Sequence, residues 1–411
     1  MIDTIDLITP PDWQPSDSII KVLGVGGGGC NAVTYMFNKG ITGCSFAVCN
    51  TDSQALSRSN VPVKIQMGKG LGAGTNPIKG RNAAIEAQDE IAAKVMDSNT
   101  KMLFITAGMG GGTGTGAAPV IAKMAKDKGI LTVAVVTIPF HNEGNKAIGR
   151  AIDGIHELEN NVDSLLIVNN EKLYQYFGDK LAHDAFPKAD EVLCTAVKGI
   201  IEIIQKAGFI NVDFEDVKTL MKDSGMALMG YGTGSGPNRI DDALEEAFKS
   251  PLLNDFDLSS AKNVLVNITG GRNEQGLTMD NINEINRKID EYTKGANNFK
   301  RGLVYDDDPQ IGDTIHITSI VTGLRFNDVI GPEKDMGNYI ILDKNFVYDK
   351  EEAARSEGIS IPADTEKHIG FSSKDNEPSF RFDLDNPPVL LSGDRQELEE
   401  IPAIRRQAKK D

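Results

Sequence analysis

"GMGGGTGTG", residues 108–116, places six glycines in nine positions, directly after the apolar run "KMLFITA" (101–107) and directly before "AAPVIAKMAK" (117–126). A strand that runs through bare backbone into a helix is a βα turn with room to hold something. Without Cβ atoms, successive N–H groups can converge on one point, and the following helix adds its positive end, so the expected occupant is an anion. Thr113 and Thr115 add hydroxyl donors, and Pro119 is expected in the first turn of the helix, where no N–H is missed. The pattern G-x-x-x-x-G-K-[ST] occurs nowhere, so phosphate charge would be met by backbone, helix dipole and Mg²⁺ rather than by a P-loop lysine. A flexible linker would be serine-rich and would not be clamped between a strand and a helix.

A second glycine cluster lies upstream. "GVGGGG" (24–29) follows the strand candidate "IIKVLGV" (19–25), precedes the helix candidate "CNAVTYMFNK" (30–39) and satisfies G-x-G-x-x-G, with Asp52 at the end of the next strand. Alone, this fits a dinucleotide site, and a nicotinamide-dependent oxidoreductase is the rival reading it supports. That reading does not account for the richer loop at 108–116.

The strand–helix alternation continues outward from both loops. A helix is expected near 78–96 and another to about 126, then strand "ILTVAVVTI" (130–138), a helix near 148–160 and strand "DSLLIVN" (163–169). This rhythm predicts an α/β fold with a parallel, Rossmann-like sheet covered by helices. In "ADEVLCTAVKGIIEIIQKAG" (189–208), Val192, Leu193, Val197, Ile200, Ile201 and Ile204 recur at helical spacing and Gly208 ends the pattern, which predicts one long, buried central helix. "MALMGYGTGSG" (226–236), "NVLVNITG" (263–270) and "TIHITSIVTGL" (314–324) suggest a second, smaller α/β domain. Apart from "YIILDKNFVYD" (339–349), residues 327–396 are poor in apolar side chains and rich in Asp, Glu, Ser, Pro and Gly, the composition of a disordered linker. "ELEEIPAIRRQAKKD" (397–411) turns apolar and basic again. The expected organisation is a first domain at 18–183, the central helix at 184–208, a C-terminal α/β domain at 209–326, a linker at 327–396 and a tail peptide at 397–411.

Composition sets outer bounds. The 411 residues, 40% of them hydrophobic, can fill two cores. A formal net charge of −16 argues against a bulk electrostatic grip on nucleic acid or anionic lipid. Cys30, Cys44, Cys49 and Cys194 lack metal-ligand spacing and the five histidines are scattered, so a reducing cytosol fits and no zinc site is indicated. The N-terminus has no signal pattern, and the longest apolar run, "ILTVAVVTIPF", falls far short of the roughly 20 residues a membrane span needs. Direct membrane insertion is not expected.

At this point a family resemblance enters. "GMGGGTGTGAAP" resembles the signature loop of the tubulin/FtsZ family, in the form carried by FtsZ, the bacterial tubulin-homologue cell-division GTPase. "GVGGGGCNAV", "NTDSQAL", "GLGAGTNP", "GRNAA", "AVVTIPF", "NVDFEDV", "SPLL" and "VLVNIT" resemble FtsZ segments in the same order across residues 18–326, and "EIPAIRRQ" resembles the family's C-terminal peptide. The resemblance implies a tubulin-like GTPase domain at 18–183, with GTP/GDP held by Gly26, Gly27, Gly28 and Gly29 and by Gly108, Gly110, Gly111, Gly112, Thr113, Gly114, Thr115 and Gly116. Ala73, Gly74 and Thr75 would close over the γ-phosphate, Glu143 would contact the ribose, and Asn31, Phe186 and Asp190 would address the guanine. Phe186 would stack on the base, and an Asp190 carboxylate can accept from two guanine donors that adenine lacks. Cys30 stands where many relatives have Gly and is expected as a small packing residue. "PFHNEGNKAIGRA" departs from the family pattern: Asn142 and Ala147 stand where Phe and a phosphate-side Arg are usual, and Arg150, one helical turn further on, either substitutes for that arginine or is a surface charge, the second being the expectation.

The residues of "NVDFEDV" (211–217) by themselves indicate a helix start, with Asp213 as N-cap and Asp216 three positions on. The resemblance adds a catalytic role. Asn211, Asp213 and Asp216 would enter the next subunit's nucleotide site and polarise the attacking water, so hydrolysis would wait until subunits meet. It further implies head-to-tail filaments of the midcell division ring in the cytoplasm, with a membrane-tethering adaptor and other division proteins reached through the tail. A tubulin-like filament with another role, such as plasmid partition or cell shape, is the nearer rival, and the tail peptide argues against it.

Overall fold

In the computed structural model, the residues described are 18–170, 182–205, 209–210, 212–248, 261–293, 298–306, 311–324, 339–343 and 346–349. The strands are β1 (Ile20–Val25), β2 (Ser45–Asn50), β3 (Val63–Gln66), β4 (Met102–Gly108), β5 (Leu131–Ile138), β6 (Ser164–Asn169), β7 (Gly225–Gly234), β8 (Asn263–Gly271), β9 (Asn298–Asp306) and β10 (Ile315–Leu324). The helices are α1 (Gly26–Asn38), α2 (Ser53–Arg58), α3 (Pro77–Glu86), α4 (Gln88–Val95), α5 (Thr113–Asp127), α6 (Asn145–Glu159), α7 (Ala182–Gln205), α8 (Phe214–Met221), α9 (Arg239–Phe248) and α10 (Met279–Thr293).

Strand β4 shows why its apolar run becomes a central strand. Met102 and Phe104 enter one buried cluster while Leu103 and Ile105 enter the other, because successive side chains leave opposite faces. A run apolar on both faces needs cover on both, and parallel strands joined by helices supply it. One cluster joins α3, α4, α5, α6, α9 and α10 to the sheet; the other joins α1, α7 and α8. Burying one such Leu, Ile or Phe side chain stabilises by roughly 1.5–3 kcal/mol, so the continuous clusters dominate stability.

All ten strands form one sheet, in the order β3-β2-β1-β4-β5-β6-β7-β10-β8-β9. The pairings are parallel from β3 through β7, antiparallel on both sides of β10, and parallel again between β8 and β9. The first and second α/β segments are therefore joined by hydrogen bonds through β6 and β7, whose register pairs Ser164 with Gly225 and Leu166 with Ala227. Asp163 secures this seam from a buried position: its backbone carbonyl accepts from Ser224 N (2.8 Å) and Gly225 N (3.1 Å), and its Oδ2 accepts from Thr132 N (2.8 Å).

Several boundaries differ from the sequence expectation. The four glycines 26–29 form the first turn of α1 rather than a turn ahead of it. Helix α5 begins inside the glycine segment at Thr113, which puts Pro119 in its second turn instead of its first. There it forgoes a backbone bond to the Thr115 carbonyl. The single helix expected at 78–96 is two, broken at Ala87. Strands β3 and β9 were not expected: β3 is short, and "NFKRGLVYD" (298–306) carries exposed residues over its first half. Helix α7 begins seven residues before the periodic stretch; Gly208 lies outside the described residues. Separately, Tyr339–Asp343 and Phe346–Asp349 pair as a two-stranded sheet, in the one stretch exempted from the linker composition. Among the described residues no helix is long and apolar enough to cross a membrane.

Candidate functional site

The two glycine clusters meet. Both follow parallel, adjacent strands, β1 and β4, at their carboxyl ends, and they pack so closely that a Cβ on Gly28 would lie 3.3 Å from both the Cα and N of Gly108. A Cβ on Gly26, whose φ is +73°, would lie 2.8 Å from Gly114 N. Most of the glycines in 108–116 are thus required by packing. Side chains at Gly112, Gly114 and Gly116 would collide with the carbonyls of Gly74, Gly108 and Pro77, and Gly110 has φ +98°. Gly27 and Gly111 are different, since among the described residues nothing beyond the local backbone lies within 4 Å of a Cβ built on either. The bare backbone therefore serves two ends: most glycines let loops and helices approach, and two face open space.

Helices α1 and α5 both start here without a side-chain cap and without an acidic residue in the first turn. Uncapped N-termini expose N–H donors and the positive end of the helix dipole, the environment that stabilises an anion. The segment Gly72–Thr75 closes the third side. Gly112 N donates to Gly74 O at 3.0 Å, Ala73 is buried against the loop, and Gly74 and Thr75 are exposed. Thr113 Oγ1 lies 2.6 Å from Thr51 Oγ1. The Thr115 side chain is buried and accepts from Gly110 N at 2.9 Å, so it holds the loop's shape.

The base-side candidates follow from helix α7. Its C-terminal Gln205 donates to Gly43 O, just before β2, and the helix runs back past the sheet. Asp190 stands fifteen residues before Gln205, about 22 Å at 1.5 Å per residue. Strand β1 covers about 20 Å over six residues, so Asp190 is level with the glycine clusters. Half-buried and accepting no hydrogen bond among the described residues, its carboxyl is pushed up to about 6 by burial, and two ligand donors would favour the ionised form. Asn31 is exposed on the second turn of α1, and Glu143 is exposed in a short 3₁₀ turn (His141–Glu143), its Oε1 accepting from Phe140 N at 2.9 Å. The Phe186 side chain and Asn211 lie outside the described residues. Asp52 caps α2, its Oδ1 accepting from Gln54 N (2.8 Å) and Ala55 N (3.2 Å), so a helix cap accounts for the acid that the dinucleotide pattern would claim. Cys30 packs as expected; burial pushes its thiol up to about 12.

The acidic segment lies beside the first halves of β8 and β9. Asp213 and Asp216 form a capping box at the start of α8: Asp213 Oδ1 accepts from Asp216 N (2.8 Å), and Asp216 Oδ2 accepts from Asp213 N (3.4 Å). The last turn of α8 touches strand starts and the end of antiparallel β10. Leu220 O accepts from Asn263 Nδ2 (3.3 Å), at the first residue of β8, and from Thr322 Oγ1 (3.0 Å), near the end of β10. The glycine clusters instead follow the ends of β1 and β4, and five strand spacings, about 24 Å across the sheet, separate β4 from β8. One chain cannot bring Asp213 or Asp216 to its own glycine loops.

Two cations stand beside these groups, and of them the sequence reading singled out Arg150 but not Lys300. Lys300 Nζ sits 2.8 Å from Asp216 Oδ1, and this hydrogen bond holds the Asp216 carboxyl below the usual carboxylate range. No local motif announces a pairing between β9 and α8. Arg150, expected as a surface charge, instead donates its Nε to Gly110 O at 2.8 Å, because α6 packs directly under the glycine loop. The carbonyl of Ala147 lies on the same face, 2.9 Å from where a Gly110 Cβ would be.

Comparison with known proteins agrees with this geometry. The chain matches the family described as Tubulin/FtsZ family, GTPase domain, over residues 19–178, and FtsZ family, C-terminal domain, over residues 225–325. It is 48% identical over 318 residues to the cell division protein FtsZ of Pseudomonas putida, covering 76% of this chain and 78% of that one. Against the FtsZ of Azotobacter vinelandii the figures are 49% over 318 residues, 76% and 79%. Among solved structures, an empty FtsZ dimer from M. jannaschii matches with TM-score 0.67 and 36% identity, covering 81% of this chain and 92% of that one.

Proposed function

The chain belongs to the tubulin/FtsZ family of GTPases, and on that premise we propose that it is a division-ring filament protein whose GTP is hydrolysed between successive subunits. It binds GTP and GDP, hydrolyses GTP and assembles with itself. The observation that carries the split site is the placement of the glycine clusters at the carboxyl ends of β1 and β4 and of the acidic segment beside the first halves of β8 and β9. A contact that joins one of these surfaces to the other pairs unlike surfaces, so it repeats as an open filament.

In this reading the N–H groups around Gly26–Gly29 and Gly108–Gly116 hold the phosphates, Ala73–Thr75 close over the γ-phosphate, Asn31, Phe186 and Asp190 select guanine, and Glu143 meets the ribose. Asn211, Asp213 and Asp216 act on the next subunit's nucleotide, positioning and polarising water. Mg²⁺ would neutralise phosphate charge. The residues fit an ion held mainly by phosphates and water, since hydroxyls (Thr51, Thr113) stand at the loop and no cluster of three or more metal-binding side chains exists among the described residues. The segments 18–183, 184–208 and 209–326 act as nucleotide-binding unit, connecting helix and acid-bearing unit.

The test is GTP turnover per chain against protein concentration. Turnover rises steeply above a threshold, GTP sediments the protein, and GDP and ATP do not. Turnover independent of concentration would place the whole site within one subunit and end the filament mechanism.

The tail, 397–411, is the docking peptide for a membrane-tethering adaptor and other division proteins at the midcell ring. It is apolar at Ile401, Ala403 and Ile404 and basic at Arg405 and Arg406, and too short to fold alone. Deleting it leaves GTP-driven sedimentation intact and abolishes binding to the adaptor. Adaptor binding that survives the deletion would remove the tail from the mechanism, and with it the argument against a non-division filament.

A further inference from the structure

Ser18, the first described residue, donates its Oγ to Gly43 O at 2.9 Å, and Gln205 at the end of α7 donates to the same carbonyl. The chain therefore enters β1 at the mouth of a groove between α1 and α7, which Gln205 and Thr42 line at this end. The groove runs back along α7 to Glu191, about 21 Å at 1.5 Å per residue, and has a cavity volume of about 370 Å³. Its walls are mixed. Tyr35 and Ile41 on the α1 side and Cys194 and Ile201 on α7 offer apolar surface, while each helix contributes one exposed lysine, Lys39 and Lys198. Both lysines bear on one point: burial pushes the Cys194 thiol up to about 11, and Lys198 and Lys39 pull against it. Lys39 Nζ also stands 5.3 Å from the centroid of the Tyr35 ring. Lys198 lies 3.9 Å from Glu202, an exposed pairing of the kind that is readily exchanged. An apolar floor with two cations over it suits an aromatic side chain with a carboxylate beside it.

The sequence leading into Ser18 has that chemistry. Residues 1–17 carry Asp3, Asp6, Asp12 and Asp17, no lysine, arginine or histidine, and Trp13, the one tryptophan of the chain. Pro10, Pro11 and Pro15 favour an extended path. Trp13 stands five residues before Ser18, about 16 Å along an extended chain, and Cys194 stands eleven residues before Gln205, about 16 Å along the helix. The two distances start from the same carbonyl. The tail peptide is the wrong occupant, because Arg405, Arg406, Lys409 and Lys410 would meet two lysines.

We propose that residues 12–17 of the same chain dock in the groove between α1 and α7, with the Trp13 ring beside Cys194 and the Asp12 carboxylate facing Lys39 and Lys198. The docked segment ties together the two helices that carry Asn31 and Asp190. It lies ahead of residue 19, where the match to the GTPase-domain family begins, so it is an addition to the shared fold.

Trp13 is its own reporter. Its emission and its quenching by acrylamide are measured in the full-length protein, without nucleotide, over a range of protein concentrations. Expected is an emission blue-shifted from that of the urea-unfolded chain and a weaker quenching, both independent of concentration. Lys39→Glu and Lys198→Glu change exposed positions and keep the wild-type circular dichroism, and each weakens docking about 2- to 5-fold. The double variant shifts the emission towards that of the unfolded chain, and adding Asp12→Lys to it restores the blue shift. Emission and quenching in the folded wild type equal to those of the unfolded chain would overturn the proposal, as would a buried Trp13 indifferent to both lysines. Burial that grows with protein concentration would put a neighbouring copy's segment in the groove and overturn docking within one chain.

Discussion

Gly111→Val folds like the wild type and loses at least about 100-fold in GTP affinity. Among the described residues nothing beyond the chain neighbours lies within 4 Å of a Cβ at Gly111, and its φ is not in the left-handed region, so neither packing nor backbone conformation resists the substitution. The open space is beside uncapped N–H donors, where the branched side chain displaces phosphate oxygens. Loss of two charge-assisted hydrogen bonds, each roughly 1.5–3 kcal/mol, accounts for the size of the effect. Gly112→Val is the control that separates ligand space from packing space. Its Cβ would collide with the Gly74 carbonyl and lie 2.9 Å from Asn76 N, so this variant loses thermal stability whether or not nucleotide is present. Circular dichroism, thermal unfolding and fluorescent nucleotide titration measure all three properties. Wild-type GTP affinity in a folded Gly111→Val protein would remove the loop from the nucleotide site.

That pair of neighbours marks how far the sequence could be read. The density of glycine announced a βα turn, and its position after an apolar strand announced an anion site, but composition could not say which glycine serves packing and which serves the ligand. The distinction depends on what stands opposite each Cα, and the opposing atoms come from segments such as Gly72–Thr75 and Pro77 that are remote in sequence. Strand β4 and helix α7 were legible because burial on both faces, or on one broad face, leaves an apolar period behind. Strand β9 was hidden because its first half is exposed. Lys300 was missed, and Arg150 was placed at the surface, for a related reason: each matters through one contact with a distant backbone or carboxylate, which leaves no period and no spacing.

The acidic segment shows the opposite case, where the local reading was sound and incomplete. Asp213 and Asp216 do cap α8, and nothing within the chain requires more of them. Yet an N-cap needs only one side-chain oxygen: Asp213 keeps its Oδ2, and Asp216 spends its Oδ1 on the half-exposed Lys300, at a place the chain's own glycine clusters cannot reach. A pair of carboxylates is tolerable beside a triphosphate only if charge is offset, and Lys300, half-exposed and paired with Asp216, travels with them.

Asp216→Ala binds GTP with wild-type affinity, sediments with GTP, and loses at least about 100-fold in turnover, the scale set by removing a group that positions and polarises the reacting water. The nucleotide pocket of the same chain is untouched, being at the other end of the strands. The helix start survives too, because the oxygen that accepts from Asp216 N belongs to Asp213 and is still present. The decisive measurement is a mixture. Gly111→Val cannot hold GTP but presents an intact acidic segment; Asp216→Ala holds GTP but lacks the acid. Each alone turns over poorly. If the acid of one chain serves the nucleotide of the next, a contact that places Gly111→Val against the nucleotide of Asp216→Ala is complete, and turnover in the mixture exceeds the sum of the two alone. The recovery must be partial, because only one of the possible orders of the two chains along a filament builds that contact, and it must grow with total concentration. A mixture that never exceeds the sum, at concentrations where both variants co-sediment, would mean that Asp216 acts within its own chain. That would require the acidic segment to cross the roughly 24 Å of sheet between β8 and β4.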